Sequence, residues 1–394
     1  MDVKTLILGA GAAGMMTAAH AGPGVLVVDH AKAPGEKIRI SGGGRCNFTN
    51  MYCEPQNYLG ENKHFHKSAL SRYTQWDFIE LVGQHGIAWH EKTLGQLFCD
   101  DKATQIVSML LAEMDKAGAD LWLQTSVLEV AHRDGHFVTR MSREGREVTV
   151  TSDALVLATG GKSIPKMGAT GLAYDIARQF GHEVTETRPG LVPFTFDKGR
   201  FSALSGTAVN TRISNDKAGF EEAMLFTHRG LSGPAILQIS SYWREGEEVV
   251  IDLLPQTNLA EILRTKRRTE GKRALTTELG HHLPSRVVEH LSETFDFKGN
   301  LGDLSDSRID DLCTFLGAWA LKPTGTEGYR TAEVTLGGIS TEGLSAKTME
   351  SKHIPGLHVV GEAADVTGWL GGYNFQWAWS SGWAAGQAIR QRRQ

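Results

Sequence analysis

The hydrophobic pattern predicts alternating strands and helices at both ends of the chain and a different texture between them. Residues 3–8 form a short apolar run, as a strand covered on both faces requires. A glycine-punctuated turn at 9–14 and small residues up to Ala21 predict a close-packed helix, and residues 24–28 predict the next parallel strand. Segment 37–50 reads as a Gly-Ser-Asn loop. Helices are predicted at 68–85, 102–117 and 171–181, and strands at 87–90, 121–130, 136–140, 146–151 and 154–158. From about 190 to 255 short β-like pieces appear (192–196, 207–213, 223–227, 248–254), with one helix capped by Ser232 and entered through Gly233 and Pro234. Residues 258–322 look helical and charged. Strands return at 330–336 and 357–361, and an apolar helix over 374–390 closes the chain.

This order predicts a nucleotide-binding domain that the chain leaves near 188, one or two inserted domains, and a return near 325. The 394 residues suffice for a core in each. The cations Arg390, Arg392 and Arg393 read as favourable charge at a helix C-terminus.

Composition narrows the chemistry. Hydrophobic residues make up 41% and charged residues 22%, which excludes a disordered chain. The net charge of -4 provides no overall basic excess for a phosphate backbone, so no nucleic-acid partner is expected. No apolar run reaches bilayer length, so no membrane is expected either. The 4 cysteines, at 46, 53, 99 and 313, form no CxxC, and neither they nor the paired histidines have metal-ligand spacing. A reduced, cytoplasmic setting and no metal are the expectations. Glycine is the deviation, 45 residues in clusters, each a place where backbone turns tightly or approaches something closely.

The first cluster is the most informative. Gly9, Gly11 and Gly14 follow a strand and open a helix, and Asp29 ends the next strand, which is the full context of a dinucleotide fingerprint. Gly9 permits the turn, Gly11 admits a pyrophosphate and Gly14 lets helix and strand pack, while Asp29 accepts from ribose hydroxyls. Further glycine turns at 41–47, Thr159-Gly160-Gly161 and Gly361-Glu362 suit a long ligand laid across strand ends, such as FAD.

The segments 9–14, 41–47, 227–234 and 371–376 together resemble a bacterial FAD-dependent flavoprotein family that includes aminoacetone oxidase and a bile-acid Δ4,6-reductase. The resemblance covers essentially the whole chain. It implies an α/β fold, with a Rossmann-like FAD domain of the two-dinucleotide-binding type made of 1–188 and 325–394. A β-barrel-like domain at 189–256 and a helical subdomain at 257–324 would be inserted. It places Gly9, Gly11, Ala12, Ala13 and Gly14 at the FAD pyrophosphate and Asp29 and His30 at the adenosine. Lys37, Ser41, Gly42, Gly43, Arg45, Cys46 and Asn47 would line the pyrophosphate, ribityl chain and ring, with Val127 near adenine. Thr159, Gly160, Gly161 and Gly361 would complete the edge, with Glu362, or Asp365, at the ribityl hydroxyls. Gly372, Tyr373, Asn374 and Phe375 would bring a helix N-terminus to the flavin N1–C2=O edge, where a reduced ring carries negative charge.

Some readings rest on single residues. Cys46 reads as buried and inert rather than as half of a redox pair. His228 and Arg229, in the inserted part, and Trp369, before the last glycine turn, are the substrate-side candidates, and no catalytic acid or base stands out.

The resulting expectation is an FAD-dependent oxidoreductase transferring hydride through flavin N5 to a small organic substrate. Without a second GxGxxG unit, NADH or NADPH would bind only transiently as donor. The alternatives are an oxidase of a small amine using O2 and a flavin-binding protein without turnover. RNA modification is a third reading, disfavoured here by the acidic balance and the lack of a basic patch interleaved with aromatic residues.

Overall fold

The protein is described from a computed structural model over residues 1–197 and 199–392. Arg393 of the cationic tail lies outside them. Two compact units emerge, 1–189 with 333–394, and 190–332.

In the first unit, β1 (Asp2–Leu8) leads into α1 (Ala12–His20) and β2 (Val25–Val28). Then come β3 (Asn47–Asn50), α2 (Gln75–Gln84), β4 (Gln96–Cys99), α3 (Thr104–Lys116) and β5 (Ala119–Trp122). A meander follows: β6 (Thr125–Arg133), β7 (His136–Arg143) and β8 (Arg146–Leu157). The main sheet runs β5-β2-β1-β8-β7-β6. Its parallel part joins β5, β2, β1 and β8, with β2 aligned to β1 so that Leu6 faces Leu26. The two runs expected at 146–151 and 154–158 are one long strand. Its first half pairs antiparallel with β7 and its second half runs parallel to β1. The segment 37–50 is not a plain loop: it holds a short helix (Glu36–Ile40), a tight turn and β3.

In the second unit, β9 (Phe194–Thr195), β10 (Ala208–Ser214), β11 (Gly219–Phe226) and β12 (Gly230–Ser232) precede α4 (Pro234–Ser240) and β13 (Val249–Asp252). The helical stretch includes α5 (Leu259–Thr269) and α6 (Asp306–Gly317), and ends in β14 (Trp319–Leu321) and β15 (Gly325–Thr326). The sheet order is β14-β13-β10-β11-β12-β9-β15.

Two expectations are corrected here. The stretches 189–256 and 257–324 form one unit, because β14, beyond the helices, pairs with β13. The chain returns to the first unit at Glu333 rather than near 325, because β15 pairs with β9.

Back in the first unit, β16 (Leu357–Val359) pairs parallel with β8, and α7 (Tyr373–Gln391) ends the fold. Helices α1 and α7 cross at van der Waals contact because glycine leaves room. A Cβ at Gly382 would lie 2.6 Å from the Ala13 carbonyl, and one at Gly386 2.8 Å from that of Thr17. Trp377 and Trp379 are fully buried beneath this crossing, where the indole Nε1 of each donates to a backbone carbonyl.

Candidate functional site

The corner at 9–14 is built by exclusion. Gly9 has φ +110, and a Cβ there would lie 2.4 Å from the Ala158 carbonyl oxygen. One on Gly14 would lie 1.9 Å from the Gly9 carbonyl oxygen, so neither position accepts a side chain. Gly11 differs: a Cβ there would meet nothing within 4 Å. Open space therefore stands at the helix start, where the amides of Ala12 and Ala13 have no intrahelical acceptor.

Asp29, at the end of β2, accepts from the Ala10 amide at 2.7 Å and the Ala31 amide at 2.9 Å, so its carboxylate fixes the turn. The His30 imidazole lies 3.4 Å from it and packs over Gly168. The Thr125 amide donates to the Asp29 carbonyl, which brings the start of β6 alongside. Val127 sits there, half-buried, at a bulge.

The segment 35–47 lies in the same unit. Gly42 (φ +56), Gly43 (φ +67) and Gly44 (φ +86) make three successive left-handed steps. A Cβ on Gly42 would strike the Phe98 ring at 2.6 Å, whereas one on Gly43 would meet open space. The Ser41 hydroxyl donates to the Ile38 carbonyl. Arg45 is exposed and makes no ion pair among the described residues. Cys46 is fully buried, and burial pushes its thiol far above the ordinary range. Asn47 opens β3 opposite Phe98 of β4.

Lys37 reaches across the sequence. Its ammonium lies 2.7 Å from Glu362 and 2.6 Å from the Ser163 hydroxyl. The other Glu362 oxygen accepts from Ser163 at 3.0 Å and from the Thr335 amide at 2.9 Å. Both Glu362 oxygens are thus occupied within the protein. Gly161 is obligatory beside them, since a Cβ would lie 2.4 Å from the Thr335 hydroxyl. Gly160 (φ +72) turns the chain at this edge, and Gly361 (φ +63) packs on Ala13. The Thr159 hydroxyl is buried and has no hydrogen-bond partner among the described residues. Burial raises the carboxyl of nearby Glu333, against the opposing charge of Lys37.

Asp365, the second candidate for the ribityl hydroxyls, is 4% exposed, and one oxygen of its carboxylate accepts from the Glu61 amide. Ser163, Thr335 and Glu333 belong to the Lys37–Glu362 cluster and carried no sequence signal beyond the closeness of Ser163 to Gly160 and Gly161.

At the start of α7, Gly371 (φ +111) and Gly372 (φ +98) let the chain pass the Thr49 backbone, where a Cβ on Gly372 would lie 2.3 Å from a carbonyl oxygen. Gln376 makes the first intrahelical bond, to Gly372, so the amides of Tyr373, Asn374 and Phe375 have no intrahelical acceptor. The Asn374 side chain folds back onto Gly368, and Phe375 stacks on Trp379 at 5.6 Å. Trp369 is half-buried, its ring 6.3 Å from that of Tyr373.

His228 and Arg229 lie in the other unit, exposed on the turn between β11 and β12. The Thr227 hydroxyl accepts from the Arg229 and Gly230 amides, and Arg229 approaches Glu327 at 3.8 Å. Ser232 does not cap α4; it ends β12, and Gly233 (φ +89) caps the helix instead. Pro234 takes the first helical position and Ser232 is paired in the sheet with Leu225, so the cap falls on Gly233, where a Cβ would lie 2.8 Å from the Ala223 carbonyl. Among the described residues no cluster of three or more His, Cys, Asp or Glu could hold a metal, and no helix is long and apolar enough to cross a membrane.

Comparison with known proteins accords with this geometry. The chain is 52% identical, over 98% of its length and 97% of the relative's, to a protein named ribosomal RNA dihydrouridine synthase from Escherichia coli K12. It is 27% identical, over 98% of both chains, to the 3-dehydro-bile acid delta(4,6)-reductase of Clostridium scindens. Among solved structures, the 3-ketosteroid delta1-dehydrogenase of Sterolibacterium denitrificans matches 99% of this chain and 100% of its own with a TM-score of 0.54 at 13% identity, a likeness of fold. The HI0933-like protein Rossmann domain family matches residues 3–388, and the chain belongs to that family.

Proposed function

We propose that this protein is an FAD-dependent reductase that converts uridine in ribosomal RNA to dihydrouridine, with NADH or NADPH as electron source. The observation that carries the cofactor is the corner at 9–14, where Gly9 and Gly14 are sterically closed and Gly11 faces open space. The residues fit FAD. Gly11 and Gly43 leave room on the two glycine turns, and the buried Thr159 hydroxyl has no partner among the described residues. The substrate rests on the relative that shares 52% identity over nearly the full length of both chains.

The two relatives' names share a chemistry. A uracil C5=C6 bond and the double bonds of a 3-dehydro-bile acid are each conjugated with a carbonyl, and such a bond accepts hydride at its far carbon and a proton next to the carbonyl. Bound FAD would supply the hydride from N5. The chain's own residues hold and polarise. The amides at the α1 start would face the pyrophosphate, with Asp29 beside the adenosine ribose. The Lys37–Glu362–Ser163 cluster would stiffen the middle of the cradle. The α7 start would present its first-turn amides to N1 and O2, favouring negative charge on the ring without a titrating group.

Anaerobic titration tests this reading. NADH or NADPH should bleach the bound flavin, and unmodified ribosomal RNA, added afterwards, should restore its colour faster than buffer does. Reoxidation by air alone, with no response to RNA, would support the oxidase reading instead.

A further inference from the structure

We propose that α5 and the turn after it form a docking surface for the phosphate backbone of RNA. This deepens the ribosomal RNA reading above and rests on it. Residues 264–273 carry Arg264, Lys266, Arg267, Arg268, Lys272 and Arg273 against the single acid Glu270. In a chain of net charge -4, an RNA polyanion is repelled overall unless the cations are gathered in one place, and this is such a gathering.

Packing orders the cluster. Leu259 and Leu263 of α5 are buried. Arg264 pairs with Asp306 and Asp310 of α6, and Arg267 with Asp306 at 3.1 Å. Lys266 and Arg273 converge on Glu278 at 2.6 and 2.9 Å, with His282 at 3.3 Å, and the Glu278 side chain is 0% exposed. Arg273 also pairs with Glu270. One buried carboxylate thus holds two half-exposed cations in fixed positions, which lowers the ordering cost of a phosphate contact. Four of the six cations are ion-paired, with Asp306, Asp310, Glu278 and Glu270. Arg268 and Lys272 are exposed and have no acidic partner among the described residues. Arg268 lies one turn beyond Arg264 on the same face of α5. An isolated charged run is more often a solvated face. The uncompensated pair beside a rigid cation cluster sets this one apart.

The test uses the flavin-loaded protein and the large and small ribosomal RNAs transcribed in vitro. The double variant Arg268→Gln/Lys272→Gln removes charges that hold no part of the fold, so its melting temperature and flavin content should match wild type. Its RNA affinity should fall about tenfold at ~0.15 M salt, and the slope of log K against log salt should shrink by about 1–2. Bleaching by NADH or NADPH should be unchanged. Arg133→Gln, an exposed cation on β6, serves as control and should leave the slope as it was. An unchanged slope in the double variant, or an equal loss in the control, would overturn the docking surface. Failure of the wild-type protein to bind either transcript would overturn the ribosomal RNA reading itself.

Discussion

Lys37 and Glu362 stand 325 residues apart in sequence and meet at 2.7 Å. The contact joins the loop after β2 to the turn after β16 and recruits Ser163 from the loop after β8. Three crossovers of one sheet are thereby tied at a single ion pair. Lys37→Met leaves the carboxylate, 18% exposed, without its cation. We expect a loss of about 2 kcal/mol in urea unfolding, weaker FAD retention, and substantial recovery in Lys37→Arg.

Two glycines four residues or fewer from each other should behave oppositely. Gly11→Val places its side chain in open space, so the protein should fold with normal melting but emerge colourless. Gly14→Ala drives a methyl group into the Gly9 carbonyl, and should cost at least ~3 kcal/mol or abolish soluble expression. Flavin absorbance and thermal unfolding of the two variants separate the outcomes.

Acid stability should depend on Glu278. Burial pushes its carboxyl up, but hydrogen bonds from Lys266, Arg273 and His282 outweigh this and hold it at about 2. In the unfolded chain it titrates near 4.5. The folded state therefore binds this proton more weakly. The stabilisation is complete above about pH 4.5 and is lost as pH falls toward 2. Glu278→Gln should be less stable at neutral pH and flatten the unfolding profile across that window.

Thiol chemistry gives a fourth check. Cys46 and Cys99 are buried and Cys53 and Cys313 half-buried, and in all four burial raises the thiol. Native protein should label slowly at Cys53 and Cys313 and leave Cys46 untouched, whereas denatured protein labels at all four. Cys46→Ala should still be bleached by its electron donor, since no redox pair with Cys46 is part of this account.

The first corner was legible in the sequence because its information is local: an apolar run, three glycines at fixed spacing and an acid at the next strand end. The meander β6–β8 was only half legible, since one strand changes partners midway and alternation cannot show that. The helical stretch hid β14, whose place is set by pairing with β13. Ser232 has an N-cap residue type, but its backbone belongs to the sheet, paired with Leu225, which residue type alone does not show. Net charge is a sum over the whole chain and carries no information on where charges gather, such as the cations at 264–273.

The most direct measurement is nucleoside mass spectrometry of ribosomal RNA after incubation with the flavin-loaded protein and NADH or NADPH. Dihydrouridine is expected at a defined position of one transcript, dependent on both flavin and reductant and absent with Gly11→Val. Flavin that is bound and reducible, with uridine unchanged in both transcripts, would contradict it.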